Sequence, residues 1–207
     1  MPNASFLKGV LMKLIYVRAA LSRGYLTLGL SDGTENKYAY TLAESDYAEI
    51  GSPLSGATLD SGALEVIREC DERYRATLTA LRILAYGDNS QRNLYNKLTS
   101  RGISKEIASA TVSDMLSQGY MDEARQIRRL VINEANNSLC GPRKILAKLT
   151  SKGYSSLEIN SVMDELLASG EIDFSRSAEK LIAKKLTRGA TDEEKKKLLY
   201  RNGYSIC

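Results

Sequence analysis

The 207-residue sequence predicts a mainly α protein, with tandem three-helix repeats in an elongated curved array behind a small N-terminal antiparallel β segment. Three observations lead there. Residues 1–58 carry β-prone stretches separated by turn signals. After about residue 60 the apolar positions recur with the 3.6-residue period of a helix. The helical part then repeats itself at a constant offset of 51 residues.

In the first segment, Lys13–Ala20 alternates a Leu14, Tyr16 side with an Ile15, Val17 side. Tyr25–Leu30 is β-prone, Ser31-Asp32-Gly33-Thr34 signals a turn, and Lys37–Leu42 places Tyr38, Tyr40 and Leu42 on one side. About three antiparallel strands are expected. Gly51-Ser52-Pro53 and Ser55-Gly56 punctuate a loop.

Helical signals run through residues 59–87, where Leu64, Ile67 and Cys70 or Asp71 begin the apolar period and Leu78, Leu81, Ile83, Leu84 and Ala85 follow. Gly87-Asp88-Asn89-Ser90 breaks the pattern. The first three-helix repeat occupies 88–137. Leu94 and Leu98 share one face of its first helix, which stops at Gly102. Ser104 caps the second helix, whose stripe is Ala108, Val112, Met115 and Leu116, ending at Gly119. Asp122 caps the third, with Ile127, Leu130 and Val131 inward.

The second repeat occupies 138–188. Leu98-Thr99-Ser100-Arg101-Gly102 matches Leu149-Thr150-Ser151-Lys152-Gly153, and Ser104, Gly119, Asp122 and Leu130 meet Ser155, Gly170, Asp173 and Leu181. Pro142 fits the first helical position, and Ser155-x-x-Glu158 reads as a capping box. A third repeat starts within 189–207, with a capping box at Thr191-x-x-Glu194 and the helix-ending run Leu199–Tyr204. Each unit is too small to hide its apolar face alone, so neighbours must stack.

The composition excludes several chemistries. With no histidine there is no Ser-His-Asp or Cys-His system and no histidine metal ligand. Neither phosphate-loop glycine pattern occurs. Asp122 and Asp173 occupy one repeat position and read as duplicate caps rather than as acid–base groups. No enzymatic activity and no cofactor are expected. Cys70, Cys140 and Cys207 are far apart and odd in number, as suits reduced thiols in a cytoplasmic protein. No uncharged run reaches the ~18 residues of a membrane span.

Charge is unevenly placed: residues 1–75 carry a net −2, and residues 76–207 a net +6. Arg125, Arg128 and Arg129 lie at neighbouring positions of one helix. Arg143, Lys144, Lys148 and Lys152 lie on the next, and Lys184, Lys185 and Arg188 end the second repeat. Lys195, Lys196 and Lys197 come after them. A basic stripe of this kind fits phosphate or an acidic protein surface, and a solvated helix face explains any single member of it. Tyr120 and Tyr154 have the chemistry to stack on bases, but packing beside the helix-ending glycines is the favoured reading.

Several motifs together resemble those of the RecX regulatory proteins. They are Ala80-Leu81-Arg82-Ile83-Leu84-Ala85-Tyr86, Gly119-Tyr120-Met121-Asp122-Glu123, and Gly141-Pro142-Arg143-Lys144-Ile145 with Leu149 and Lys152-Gly153 after it. The resemblance covers residues 76–207 well and the N-terminal part loosely. It implies a monomeric regulator in DNA repair, homologous recombination and the SOS response. Such a protein binds the groove of the RecA–single-stranded DNA filament, and lowers filament growth, ATP turnover, strand exchange and repressor co-cleavage. Members also bind DNA, single-stranded and in some cases double-stranded. The alternative is a helical-repeat protein that binds DNA independently of RecA. The sequence departs from the family pattern twice. Gln126 stands where an aromatic is usual, and the third repeat stops after one helix.

Overall fold

The computed structural model describes residues 11–35, 37–187 and 189–205. Four strands and nine α-helices occur among them, in the order β1 (Met12–Ala19), β2 (Tyr25–Ser31), β3 (Lys37–Ala43), α1 (Glu44–Glu49), β4 (Thr58–Leu59), α2 (Ser61–Ala85), α3 (Gln91–Thr99), α4 (Lys105–Ser117), α5 (Glu123–Ile132), α6 (Pro142–Ser151), α7 (Ser156–Ala168), α8 (Phe174–Lys185) and α9 (Asp192–Arg201). Tandem three-helix repeats, preceded in the chain by a small antiparallel sheet, are therefore present. None of the helices is long and apolar enough to cross a membrane.

Two compact units divide the chain. The first comprises residues through Ala80 together with Gly102–Thr111, and the second Leu81–Arg101 together with the residues from Val112 onward.

In the first unit the sheet order is β3-β2-β1-β4, with all pairs antiparallel. The three long strands agree with the alternation in the sequence. The side assigned to Tyr16 does not, because a bulge shifts the register between Leu14 and Tyr16. The extra residue reverses the facing of the rest of β1. Leu14 is fully buried and Val17 packs against the same core, while Tyr16 lies across Gly29, its partner on β2. A Cβ on Gly29 would fall 2.5 Å from the Tyr16 ring carbon bearing the hydroxyl, so glycine makes that crossing possible. Met12, Leu28, Leu30 and Leu42 complete the inner sheet face, against Leu64, Ile67 and Cys70 of α2. Glu44–Glu49 and Thr58–Leu59, on either side of the loop at 51–56 and given no element of their own in the sequence, form α1 and the short β4.

In the second unit, Ile127 and Val131 of α5, Ile145 and Leu149 of α6, and Ile159, Met163 and Leu166 of α7 share one core. Asp122 and Asp173 cap α5 and α8, each side chain accepting from the backbone N–H three residues on. Pro142 opens α6. Thr191 and Glu194 form a reciprocal capping box on α9. The expected box at Ser155 is absent, since the Ser155 side chain makes no capping bond. After α5 the chain widens into a π-helical turn, Asn133–Asn137, and Leu139 adopts a left-handed φ of 52°. Widened turns of this kind carry no mark in a 3.6-residue pattern.

One stacking device recurs. Ser90, the N-cap of α3, donates from Oγ to the Lys152 carbonyl at 2.7 Å, at the turn that ends α6. One repeat later, the Gly141 N–H at the start of α6 donates to the Asn202 carbonyl at 2.8 Å, at the turn that ends α9. The first helix of each repeat thus starts against the glycine turn that closes the first helix of the next.

Candidate nucleic-acid interface

The expected basic residues point in different directions. Arg128 of α5 pairs with Glu171 in the α7–α8 turn, and lies 4.0 Å from Glu165. Arg129, one residue on, pairs with Asp88 in the α2–α3 turn. Arg125 keeps an exposed side chain with no partner among the described residues, while its backbone N–H is engaged by the Asp122 cap.

The α6 cations fan out likewise. The Arg143 guanidinium lies 5.6 Å from the centroid of the exposed Tyr200 ring. Lys144 donates to the Asn202 side-chain carbonyl at 2.9 Å. Lys148 pairs with Glu134 at 2.7 Å and also reaches the Cys140 sulfur at 3.6 Å. Burial alone would raise the Glu134 pKa, but the bonds from Lys148 and Cys140 prevail and hold it below the ordinary carboxylate range. The same bond to Glu134 raises Lys148. Burial pushes the Cys140 thiol up, so this cysteine is a packed group rather than a nucleophile. Lys152, Lys184 and Lys185 are exposed, and their ammonium groups have no partner among the described residues. Arg188 lies outside the described residues, as does Cys207.

Three of the expected residues do come together. Arg129 and Lys152 line a cavity of about 430 Å³ between the α2–α3 turn and the ends of α5 and α6. Arg125 and Arg129 line a second, of about 300 Å³, beside Tyr120. The two share Asp88 and Arg129, so the ion pair between those residues stands where they adjoin. A third hollow of about 330 Å³ shares Asn93 and Lys152 with the first and adds Arg92.

Tyr154 is buried, as the packing alternative requires, whereas Tyr120 is 55% exposed and does not pack as expected. Tyr120 comes after a helix-ending glycine as Tyr154 does, but the next residue, Met121, is buried in its stead.

Tyr86, Asp88, Arg92 and Lys97 belong to these hollows and are missing from the basic stripe read in the sequence. Tyr86 is 95% exposed at the end of α2. Lys97 donates to the Asn89 side-chain carbonyl at 2.6 Å. The repeat itself held the signal: moving Arg143 and Lys148 back by one period lands on Arg92 and Lys97. The parallel extends to contacts, since Lys97 reaches Asn89 and Lys148 reaches Cys140, its repeat counterpart.

No protein-family model matches the chain. A segment of 106 residues is 35% identical to the regulatory protein RecX of Stenotrophomonas maltophilia, covering 51% of this chain and 62% of that protein. Over 130 residues the chain is 32% identical to the regulatory protein RecX of Xanthomonas axonopodis pv. citri, covering 60% of this chain and 77% of that one. The match to a relative from Lactobacillus johnsonii spans only 45% of that protein. A crystal structure of a regulatory protein RecX superposes with a TM-score of 0.69 over 94% of this chain and 95% of its own, at 21% identity.

Proposed function

Since this chain belongs to the RecX family of regulatory proteins, we propose that it modulates the RecA recombinase by binding the RecA–single-stranded DNA filament in its groove. The effect is a lowering of ATP turnover and strand exchange, without chemistry of its own. The observation that carries this reading is the set of repeat-borne cations left free after the internal pairs are counted. Arg125, Lys152, Lys184 and Lys185 are exposed and unpaired among the described residues. Exposed cations on rigid helices suit a polyanionic partner whose contacts release counterions.

The test is RecA-dependent ATP turnover on single-stranded DNA with this protein added at stoichiometric ratio. Turnover is expected to fall. A combined Arg125→Glu, Lys184→Glu and Lys185→Glu variant, altered only at exposed side chains, is expected to lose most of the effect, and what remains of it should depend less steeply on salt. Unchanged turnover with the wild-type protein overturns the proposal.

A further inference from the structure

We infer that the three adjoining hollows of the second unit form a track for unpaired nucleic acid, in which Tyr86 and Tyr120 stack on bases and Arg129 is held in reserve by Asp88. The inference rests on the proposed function for its partner and deepens it, by naming the groove of this chain that meets the strand directly.

Sharing of residues makes the hollows consecutive. The first hollow lies between the other two: it shares Asp88 and Arg129 with the second, and Asn93 and Lys152 with the third. Arg125, Arg129, Lys97, Lys152 and Arg92 supply five cations along the way, against the carboxylates of Asp88 and Asp122. Asp122 is committed to capping α5. Two exposed tyrosines sit on this same lining, Tyr86 at 95% and Tyr120 at 55%. Large aromatic rings left this open within a cationic groove match what single strands require, because every base offers a π face and every link a phosphate. An acidic peptide would use the cations and leave both rings idle. A duplex hides its base faces and would also leave them unused.

Asp88 gives the track a threshold. Its carboxylate occupies Arg129 where the first two hollows adjoin, so an arriving phosphate must displace it. The pair is solvent-exposed, with 68% and 36% of the two side chains open, so the exchange is accessible.

The chain contains no tryptophan, so Tyr86→Trp creates a single fluorescent reporter at a position that makes few packing contacts. The full-length variant is titrated with a thymidine oligonucleotide of about 15 nucleotides, and separately with polyglutamate. Quenching by the oligonucleotide but not by polyglutamate is expected. Asp88→Asn in the reporter background should tighten oligonucleotide binding about threefold. Lys152→Gln, which leaves the Ser90 bond to the Lys152 carbonyl in place, should weaken it about threefold and flatten the salt slope by about one phosphate. Tyr86→Ala, which removes the reporter and is therefore compared with wild type by the anisotropy of a dye-labelled oligonucleotide, should weaken binding about tenfold. Absence of quenching, equal quenching by polyglutamate, or an Asp88→Asn variant that binds no tighter overturns the inference. RecA turnover, measured in parallel, separates the two proposals. If Tyr86→Ala binds the oligonucleotide as wild type does while RecA is still inhibited, only the track fails. If quenching is normal and RecA is unaffected, only the proposed function fails.

Discussion

The Tyr154 hydroxyl donates to the Gln126 side-chain carbonyl at 2.8 Å, and both residues are buried. The Gln126 amide thus closes a hydrogen bond with an aromatic from the second repeat. Removing the donor alone, as in Tyr154→Phe, leaves a buried carbonyl unpaired and should cost about 1–2 kcal/mol. Adding Gln126→Met to that variant removes the orphaned group, so the double variant should be no less stable than Tyr154→Phe alone. Urea unfolding of the four proteins gives the coupling, expected near 1 kcal/mol; strictly additive costs would show that the bond does not tie α5 to the α6–α7 turn.

Gly102 and Gly203 close equivalent helices with nearly the same backbone, φ of 83° and 85°. Their surroundings differ. A Cβ on Gly102 meets nothing within 4 Å, whereas one on Gly203 would lie 2.5 Å from the Lys144 Cβ and 2.9 Å from its Cα. Gly102→Ala should therefore show only the left-handed penalty, about 1–2 kcal/mol. Gly203→Ala should cost about 2 kcal/mol more, because α6 must shift to admit the methyl. Thermal unfolding of the two variants checks the difference, and equal losses would mean that the α6–α9 stacking contact is loose.

The helices and the repeat were legible because glycine turns, caps and apolar positions keep register over two periods, as Gly102 with Gly153 and Asp122 with Asp173 show. The facing of Tyr16 was not, because a bulge inserts one residue without changing composition. Nor was the π-helical turn after Ile132, which departs from the 3.6-residue period over too short a stretch to register. For the interface, sequence located the cations but not their partners. Arg128, Arg129, Lys144 and Lys148 are answered by Glu171, Asp88, Asn202 and Glu134, each 14 to 58 positions away. Spacing along one helix cannot reveal such contacts, and they separate cations that look alike in the sequence.

The Lys148–Glu134 pair carries a pH signature. The folded-state pKa of Glu134 lies below its ordinary value, so its contribution is present above about pH 4.3 and is lost as pH falls further. Lys148 is raised, so its contribution is present below about pH 10.4 and is lost as pH climbs past it. Stability from the pair should therefore be flat between these limits. Glu134→Gln should cost about 1 kcal/mol at pH 7, a value held down by the water around Lys148. Urea midpoints at pH 7 and pH 3 should show the gap between wild type and variant closing in acid; a gap that persists there would place the effect in packing rather than charge.

Asp71 of α2 behaves in the opposite sense. Its carboxylate accepts from the Thr41 N–H of β3 at 2.8 Å and pairs with Arg75 at 3.0 Å, yet burial outweighs both and raises its pKa. Any stability linked to this raised pKa is fully present below about pH 3.9 and is lost as pH rises through the folded value. At pH 7 the charged form is thus penalised by its surroundings, and what remains useful is the acceptor for Thr41. Asp71→Asn keeps an oxygen there without the charge and should unfold within about 0.5 kcal/mol of wild type at pH 7. Asp71→Ala removes the acceptor and should cost about 1–2 kcal/mol. Guanidinium unfolding of both variants at pH 7 separates the roles. If Asp71→Asn proves as costly as Asp71→Ala, an uncharged acceptor for the Thr41 N–H is not enough, and the position needs the carboxylate that also pairs with Arg75.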